Sequence, residues 1–127
     1  MAKDIQRILV VDDETAILDL LRDALTDAGY QVDAAEDAQA ALGLVKDNLY
    51  DVAILDFALP DMNGVMLHHE LRRLDAELAE RTLFISGHAQ SEDDLDYFSS
   101  LASGFLSKPF QVADVLREVH KLVGDEG

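Results

Sequence analysis

Three carboxylates follow two short apolar runs of this chain. Asp12 and Asp13 come directly after the run 7–11, and Asp56 follows the run 52–55. A continuous apolar run of this length, bounded by turn residues, is typical of a strand that is buried on both faces. Open α/β sheets bind their ligands at the carboxyl ends of such strands. The acids are therefore the first candidates for chemistry.

A hydroxyl and an ammonium group occur at the ends of two later apolar runs. Ser86 ends the run 82–86, and Lys108 follows the run 104–107. Because parallel strands all end at one edge of a sheet, we expect these side chains to share a crevice with the acids. Carboxylates this close repel one another, and a Mg²⁺ ion relieves the repulsion because it prefers oxygen ligands. Without imidazole or thiol beside them, the acids suit a hard cation better than zinc.

Strand and helix patterns alternate along the chain, and their order predicts the fold. Apolar residues three and four apart indicate amphipathic helices, and Gly29 stops the first of them. Five strands alternating with five helices predict a doubly wound α/β fold, with a parallel sheet, right-handed crossovers and helices on both faces. The strands are predicted at 7–11, 30–35, 52–56, 82–86 and 104–107. The helices are predicted at 15–28, from 38 to near 48, at 64–74, in a short segment from Ser91, and at 112–123.

Composition limits the classes of protein to which the chain can belong. Its 127 residues, 49% of them hydrophobic, predict one globular domain (1–127) with a core at about 7–123 and a polar tail at 124–127. The absence of cysteine excludes disulfides, thiolate metal sites and cysteine nucleophiles. A net charge of -16 opposes binding of nucleic acid by this chain alone. The sequence has no signal segment and no apolar run of membrane length, which favours a cytoplasmic protein without membrane contact.

The motifs taken in order resemble those of the response-regulator receiver domains of two-component signalling. The resemblance extends over about 7–123, and it implies a flavodoxin-like sheet with the strand order 2-1-3-4-5. Each motif alone is weak evidence, and their order at successive strand ends makes the likeness specific. The motifs are the Asp12-Asp13 pair, Asp56 within 55–64, Ser86-Gly87, Phe105 and Lys108-Pro109.

The resemblance implies that Asp56 accepts a phosphoryl group from a partner's histidine and forms an acyl phosphate. Asp13 would bind Mg²⁺ directly, Asp12 would bind it directly or through water, and the carbonyl of Ala58 would supply a backbone ligand. The partner would be a sensor histidine kinase or a histidine phosphotransfer protein. The protein would then be a signalling switch that dephosphorylates itself slowly, rather than a metabolic enzyme.

The same resemblance assigns switching roles to residues near the later strand ends. Lys108 would pair with the phosphoryl oxygens as a point charge. Ser86 would hydrogen-bond a phosphoryl oxygen and pull its loop inward, and Phe105 would turn from exposed to buried in the space that opens. A cis peptide bond between Lys108 and Pro109 would aim the lysine into the crevice, so we predict the cis form.

Two positions near the phospho-acceptor would tune how long the phosphoryl group survives. In receivers they lie two residues after the acceptor and two after the switch hydroxyl, which places Ala58 and His88 there. Ala58 offers no polar group to orient a water, so His88 is the candidate for this effect. The remaining histidines are predicted to be surface or partly packed side chains: His68, His69 and His120.

Two other functions are compatible with this fold. A pseudo-receiver would bind partners without needing phosphate, although the intact acid pair, Ser86 and Lys108 argue against it. A Mg²⁺-dependent phosphatase with an aspartyl nucleophile usually carries a second acid two residues after the nucleophile, where this chain has Ala58. Acetyl phosphate as a phosphodonor would separate these functions.

The segment from Ser91, the fifth strand and the last helix form the expected partner or homodimer face. The segment is acidic, which favours a basic partner surface. No output module is recognised after 123, so the chain could be a stand-alone regulator, a relay intermediate, or a piece of a longer regulator or hybrid kinase. The acids of the segment are Glu92, Asp93, Asp94 and Asp96.

Overall fold

A computed structural model of the protein describes residues 5–87 and 104–124. Within them, five strands form one sheet in the order β2-β1-β3-β4-β5, and every neighbouring pair is parallel. The predicted doubly wound topology is confirmed. The strands are β1 (Arg7–Val11), β2 (Gln31–Ala35), β3 (Val52–Asp56), β4 (Thr82–Ser86) and β5 (Phe105–Ser107).

Helices cover both faces of the sheet because alternate residues of each strand point to opposite sides. On one face, Leu9 of β1 lies in an apolar cluster with Leu67 and other residues of the helices that follow β2 and β3. On the other face, Ile8 lies in a second cluster with Leu21 and residues of the first and last helices. The described helices are α1 (Thr15–Asp27), α2 (Ala38–Asp47), α3 (Gly64–Leu74), α4 (Ala76–Glu80) and α5 (Val112–Leu122).

A tight loop, 57–63, connects β3 to α3. Asn63 caps α3, since its side chain accepts a hydrogen bond from the N–H of Met66 at 2.8 Å. The N–H of Gly64 donates to the carbonyl oxygen of Phe57 at 2.6 Å. Position 64 requires glycine, because a Cβ there would lie 2.9 Å from the Cα of Phe57. The chain therefore turns directly after the last residue of β3.

The short helix α4 is not predicted by the sequence pattern. Asp75 caps it by accepting a hydrogen bond from the N–H of Leu78 at 3.1 Å. Leu78 and Ala79 are buried against the sheet face that α2 and α3 cover. The helix has five residues, too few to show a helical period, so an apolar pair within it gives no distinctive pattern.

The other differences from the predicted elements are small. The helices α1 and α5 end one residue earlier than predicted, at Asp27 and Leu122. The strands β2 and β5 begin one residue later than predicted, at Gln31 and Phe105. The predicted helix from Ser91 and its acids, together with His88, lie outside the described residues. Each helix in residues 5–87 and 104–124 is too short or too polar to span a membrane.

His68 is more buried than the surface or partly packed side chain that the sequence predicts. It is 1% exposed, and its ring meets Phe84 of β4 in an edge contact with the centroids 5.3 Å apart. Its Nε2 lies 2.8 Å from the carbonyl oxygen of Ala79 in α4. Burial is the main reason that the pKa of His68 is lowered. The histidine thus joins α3 to α4 and β4, a packing role that depends on an element the sequence does not predict.

Candidate functional site

The carboxylates that follow β1 and end β3 meet at one edge of the sheet. Val11 pairs with Leu55, so the next residues, Asp12 and Asp56, are neighbours. Carboxylate oxygens of Asp12, Asp13 and Asp56 all lie within 4.8 Å of one another. Asp12 and Asp56 are buried, whereas Asp13 is exposed. The structure therefore brings together the acids that the sequence places at these strand ends.

Lys108 reaches into this group of acids. Its Nζ lies 3.0 Å from Oδ2 of Asp12 and 3.6 Å from Oδ2 of Asp56. The peptide bond to Pro109 is cis, as predicted. The N–H of Lys108 donates to the carbonyl oxygen of Ser86 at 2.7 Å, which ties the end of β5 to the end of β4. The lysine side chain is 12% exposed, so its charge lies among the acids rather than in water.

Glu14 is a further acid of the site, and its sequence pattern predicts no role for it. Its Oε1 accepts a hydrogen bond from Nζ of Lys108 at 2.6 Å. Its own N–H donates to Oδ1 of Asp12 at 2.8 Å. The one signal in the sequence is that Glu14 is the third consecutive acid after β1. An acid at a helix start is stabilising without any further contact, so the sequence does not indicate that Glu14 has a second role. Only the position of Lys108 in the structure shows that Glu14 belongs to the site.

The site opposes the ionisation of Asp56. Burial is the largest cause, the charge of Asp12 adds to it, and the pKa of Asp56 is raised to about 6. Lys108 lowers this pKa, as does the N–H of Ala58, which donates to Oδ1 at 3.3 Å, but they do not cancel the rise. The charge of Asp13 raises it further. A cation bound beside Asp56 would therefore favour its ionised form.

Lys108 keeps its charge in the same surroundings. Burial acts to lower its pKa, but the hydrogen bond to Glu14 and the contact with Asp12 outweigh burial, and the pKa of Lys108 is raised. The ammonium group is therefore available as a fixed positive charge at this edge.

The loop after β3 is held by the first turn of α2. The carboxylate of Asp61 accepts hydrogen bonds from the N–H groups of Ala38 at 2.9 Å and Gln39 at 3.0 Å. The first of these is the main cause that lowers the pKa of Asp61. Ala58 forms an isolated antiparallel bridge with Asn63. The backbone around Ala58 is thus fixed. The sequence does not indicate the contact between Asp61 and α2, because the two bonded N–H groups are more than 20 positions from Asp61.

Ser86 and Phe105 lie on the strands where the sequence places them. Ser86 is buried and ends β4, one residue after Ile85, which pairs with Asp56. Phe105 lies on β5 beside Phe84 and is partly buried against the cluster of the α2–α3 face. Their roles as moving parts stay predictions.

The donor atoms at this edge suit Mg²⁺. All the side chains of the cluster offer carboxylate oxygens, the ligands that Mg²⁺ prefers. Oδ2 of Asp12 is buried and accepts no hydrogen bond, since its contact with Lys108 is an ion pair without hydrogen-bond geometry. A cation that coordinates this oxygen lowers the free-energy cost of burying it. The residues therefore fit the ion that the sequence predicts.

Comparison with known proteins finds relatives over almost the whole chain. The family described as response regulator receiver domain matches residues 8–120. The virulence transcriptional regulatory protein PhoP of Salmonella typhimurium (strain LT2) is 35% identical over 117 residues, which cover 92% of this chain and 51% of that protein. The transcriptional regulatory protein PhoP of Escherichia coli O6:H1 is 33% identical, with 92% and 52% covered. The chain thus spans about half the length of these curated relatives.

Solved structures of receiver domains share the fold. A CheY-like response regulator receiver domain protein from Methanospirillum hungatei JF-1 matches with a TM-score of 0.87 and 29% identity, over 96% of each chain. The non-phosphorylated HemR receiver domain from Leptospira biflexa matches with a TM-score of 0.82 and 28% identity, over 94% of each chain. By sequence family, sheet topology and acid cluster alike, this chain belongs to the receiver domains of two-component response regulators.

Proposed function

We propose that the chain is a phospho-accepting receiver in which Asp56 takes a phosphoryl group from a histidine of a partner protein. An oxygen of Asp56 attacks the phosphorus and forms a P–O bond, while the P–N bond to the imidazole breaks and the nitrogen keeps the electron pair. The observation that carries the proposal is the setting of Asp56. It is buried beside the carboxylates of Asp12 and Asp13 and lies 3.6 Å from Nζ of Lys108.

Asp12, Asp13, Asp56 and the carbonyl of Ala58 would hold Mg²⁺. When bound, the ion neutralises negative charge on the transferring phosphoryl group and on the acids around it. Asp12 would offer Oδ2, which is buried and pairs with Nζ of Lys108 at 3.0 Å without a hydrogen bond. Ala58 would present its carbonyl from a loop that Asp61 ties to α2 through two backbone N–H groups.

Lys108, Ser86 and Phe105 would convert the modification into a change of surface. Lys108 would pair with the phosphoryl oxygens, and Ser86 would donate a hydrogen bond to one of them. The backbone bond from Lys108 to Ser86, at 2.7 Å, links the two strand ends that would move. Phe105 would turn inward, which would alter the face formed by β5, α5 and the segment from Ser91.

A sensor histidine kinase or a histidine phosphotransfer protein would be the phosphodonor, and the altered face would be the partner or homodimer surface. The net charge of -16 favours basic partner surfaces and opposes binding of nucleic acid by this chain alone. The single domain at 1–127, the cytoplasmic location and the lack of membrane contact stay predictions. The protein would act as a switch, with slow autodephosphorylation as its only turnover.

The lifetime of the phosphoryl group would depend on Ala58 and His88. A methyl group at position 58 cannot orient an attacking water, so the imidazole two residues after Ser86 would be the polar group that affects hydrolysis. An unchanged rate of dephosphorylation in His88→Ala would remove this role.

Incubation with acetyl phosphate and Mg²⁺ tests the proposal and separates it from the two alternatives. We expect a stable label on Asp56, located by mass spectrometry of peptides, and no label in Asp56→Asn. Asp23→Asn, which changes an exposed acid of α1, is the matched control and should label like the wild type. No label in the wild type would favour a pseudo-receiver, and rapid multiple turnover would favour an aspartyl phosphatase.

A further inference from the structure

Within residues 5–87 and 104–124, Lys108 contacts three acids, and its shortest contact is with Glu14, which is outside the cluster of Asp12, Asp13 and Asp56. Its Nζ lies 2.6 Å from Glu14, 3.0 Å from Asp12 and 3.6 Å from Asp56. Among the described residues, Glu14 is therefore the acid that holds the ammonium group most closely. The proposed function requires the same ammonium group at a phosphoryl oxygen on Asp56.

We propose that Glu14 is a positioning residue that competes with the phosphoryl group for Lys108. The inference rests on the proposed function, because it concerns how Lys108 reaches a phosphoryl oxygen. The side chain of Lys108 is 12% exposed, so the ammonium group exchanges one anion for another rather than moving into water. Glu14 therefore restrains phosphorylation of Asp56 by stabilising the arrangement that precedes it.

The backbone of Glu14 is held in place, whereas its side chain can leave Lys108 at a small cost in free energy. Its N–H donates to Oδ1 of Asp12 at 2.8 Å, and its carbonyl oxygen accepts from the N–H of Leu18 in α1 at 3.1 Å. These bonds fix the backbone beside the site. The side chain is 59% exposed, so water already solvates much of the carboxylate while it pairs with the lysine. Because a partly exposed ion pair changes equilibria only severalfold, Glu14 tunes the reaction without blocking it.

Glu14→Gln tests the inference in the full chain, with acetyl phosphate and Mg²⁺ as the probe. Glutamine keeps the length of the side chain and removes its charge. We expect the initial rate of labelling of Asp56 to rise about threefold to fivefold. Glu77→Gln makes the same charge change at an exposed position of α4 and should label like the wild type. An unchanged rate in Glu14→Gln overturns the inference, whereas an unlabelled wild type overturns the function on which it rests.

A double-mutant cycle in the unmodified protein separates the contact with Lys108 from simple charge repulsion. Unfolding free energies are measured for the wild type, Glu14→Gln, Lys108→Gln and the double variant. If Glu14 holds the lysine, Glu14→Gln changes the free energy of unfolding by clearly different amounts in the wild type and in Lys108→Gln. Equal effects in the two backgrounds overturn the inference, because faster labelling would then reflect only the lost negative charge.

Discussion

At the amino edge of the sheet one arginine is matched by its neighbours, whereas at the carboxyl edge one lysine lies among an excess of acids. The guanidinium of Arg7 donates to Asp33 at 3.1 Å and to Asn48 at 3.3 Å, and it lies 5.1 Å from the centre of the Tyr50 ring. The hydroxyl of Tyr50 donates to the same Asp33 oxygen at 2.6 Å. Donors and acceptors at this edge therefore satisfy one another.

The carboxyl edge lacks such a balance. Asp12, Asp56 and Glu14 contact Lys108, and the carboxylate of Asp13 lies within 4.8 Å of those of Asp12 and Asp56. The pKa of Asp56 is raised to about 6 because burial and Asp12 oppose its charge. The comparison indicates that the amino edge stabilises the fold, whereas the carboxyl edge gives up stability that a bound cation can restore. Functional sites commonly hold perturbed charges in this way.

Lys108→Met should have the largest effect on stability, because it leaves the acids of the carboxyl edge without their cation. We expect a loss of about 3 kcal/mol in unfolding free energy in the absence of Mg²⁺, measured by urea denaturation at about pH 8. Mg²⁺ should recover part of that loss. Lys121→Met is the matched control: Lys121 is 65% exposed and pairs with Glu118 at 3.3 Å, so its loss should cost less than about 0.5 kcal/mol. Equal losses in the two variants would contradict the contrast between the edges.

Asp56→Asn should stabilise the protein at neutral and higher pH. The pKa of Asp56 is about 6 in the folded protein against an ordinary value of 3.8, so folding disfavours the ionised form. The wild type therefore loses stability as the pH rises from about 4 to about 6, and asparagine, which stays uncharged, avoids this loss. We expect a gain of about 2 to 3 kcal/mol at about pH 8 and none below about pH 4, by urea denaturation.

The pH dependence of that gain is what distinguishes it from a change in packing. Asp23→Asn makes the same charge change at an exposed position and should show no comparable dependence. If the difference between Asp56→Asn and the wild type were the same at both pH values, the ionisation of Asp56 would not be its cause.

Arg7→Met tests the amino edge and should have the smallest effect. Its side chain is 33% exposed, so losing the contact with Asp33 should cost about 1 kcal/mol. Because this edge is distant from the acids at the other strand ends, the same loss is expected with and without Mg²⁺, measured by thermal unfolding at fixed metal concentrations. A loss that depends on Mg²⁺ would show that the two edges are coupled.

The strands and the acids at their ends could be predicted from the sequence because both depend on local signals. Val52–Asp56 is apolar until its last residue, and parallel strands necessarily end at one edge, so Asp56 and Asp12 had to be neighbours. The contacts of Glu14 and Asp61 could not be predicted from the sequence. Each bonds to a partner distant in sequence, Lys108 at a separation of 94 and Ala38 at 23.

The burial of His68 shows a second limit. The histidine lies within an otherwise amphipathic helix, and whether its position is buried depends on α4, which packs beside it and is too short to predict. A polar residue in a helical pattern indicates the solvent face unless a neighbouring element supplies a hydrogen-bond partner, and here the carbonyl oxygen of Ala79 lies 2.8 Å away.

The pKa of Asp56 is the most direct measure of the imbalance at the carboxyl edge. It can be followed by the ¹³C shift of the Asp56 carboxyl carbon in a pH titration without Mg²⁺, with the signal assigned by its loss in Asp56→Asn. We expect a midpoint at a pKa of about 6, moving to lower pH when Mg²⁺ is added. A midpoint near the ordinary value of 3.8, unaffected by Mg²⁺, would contradict the account.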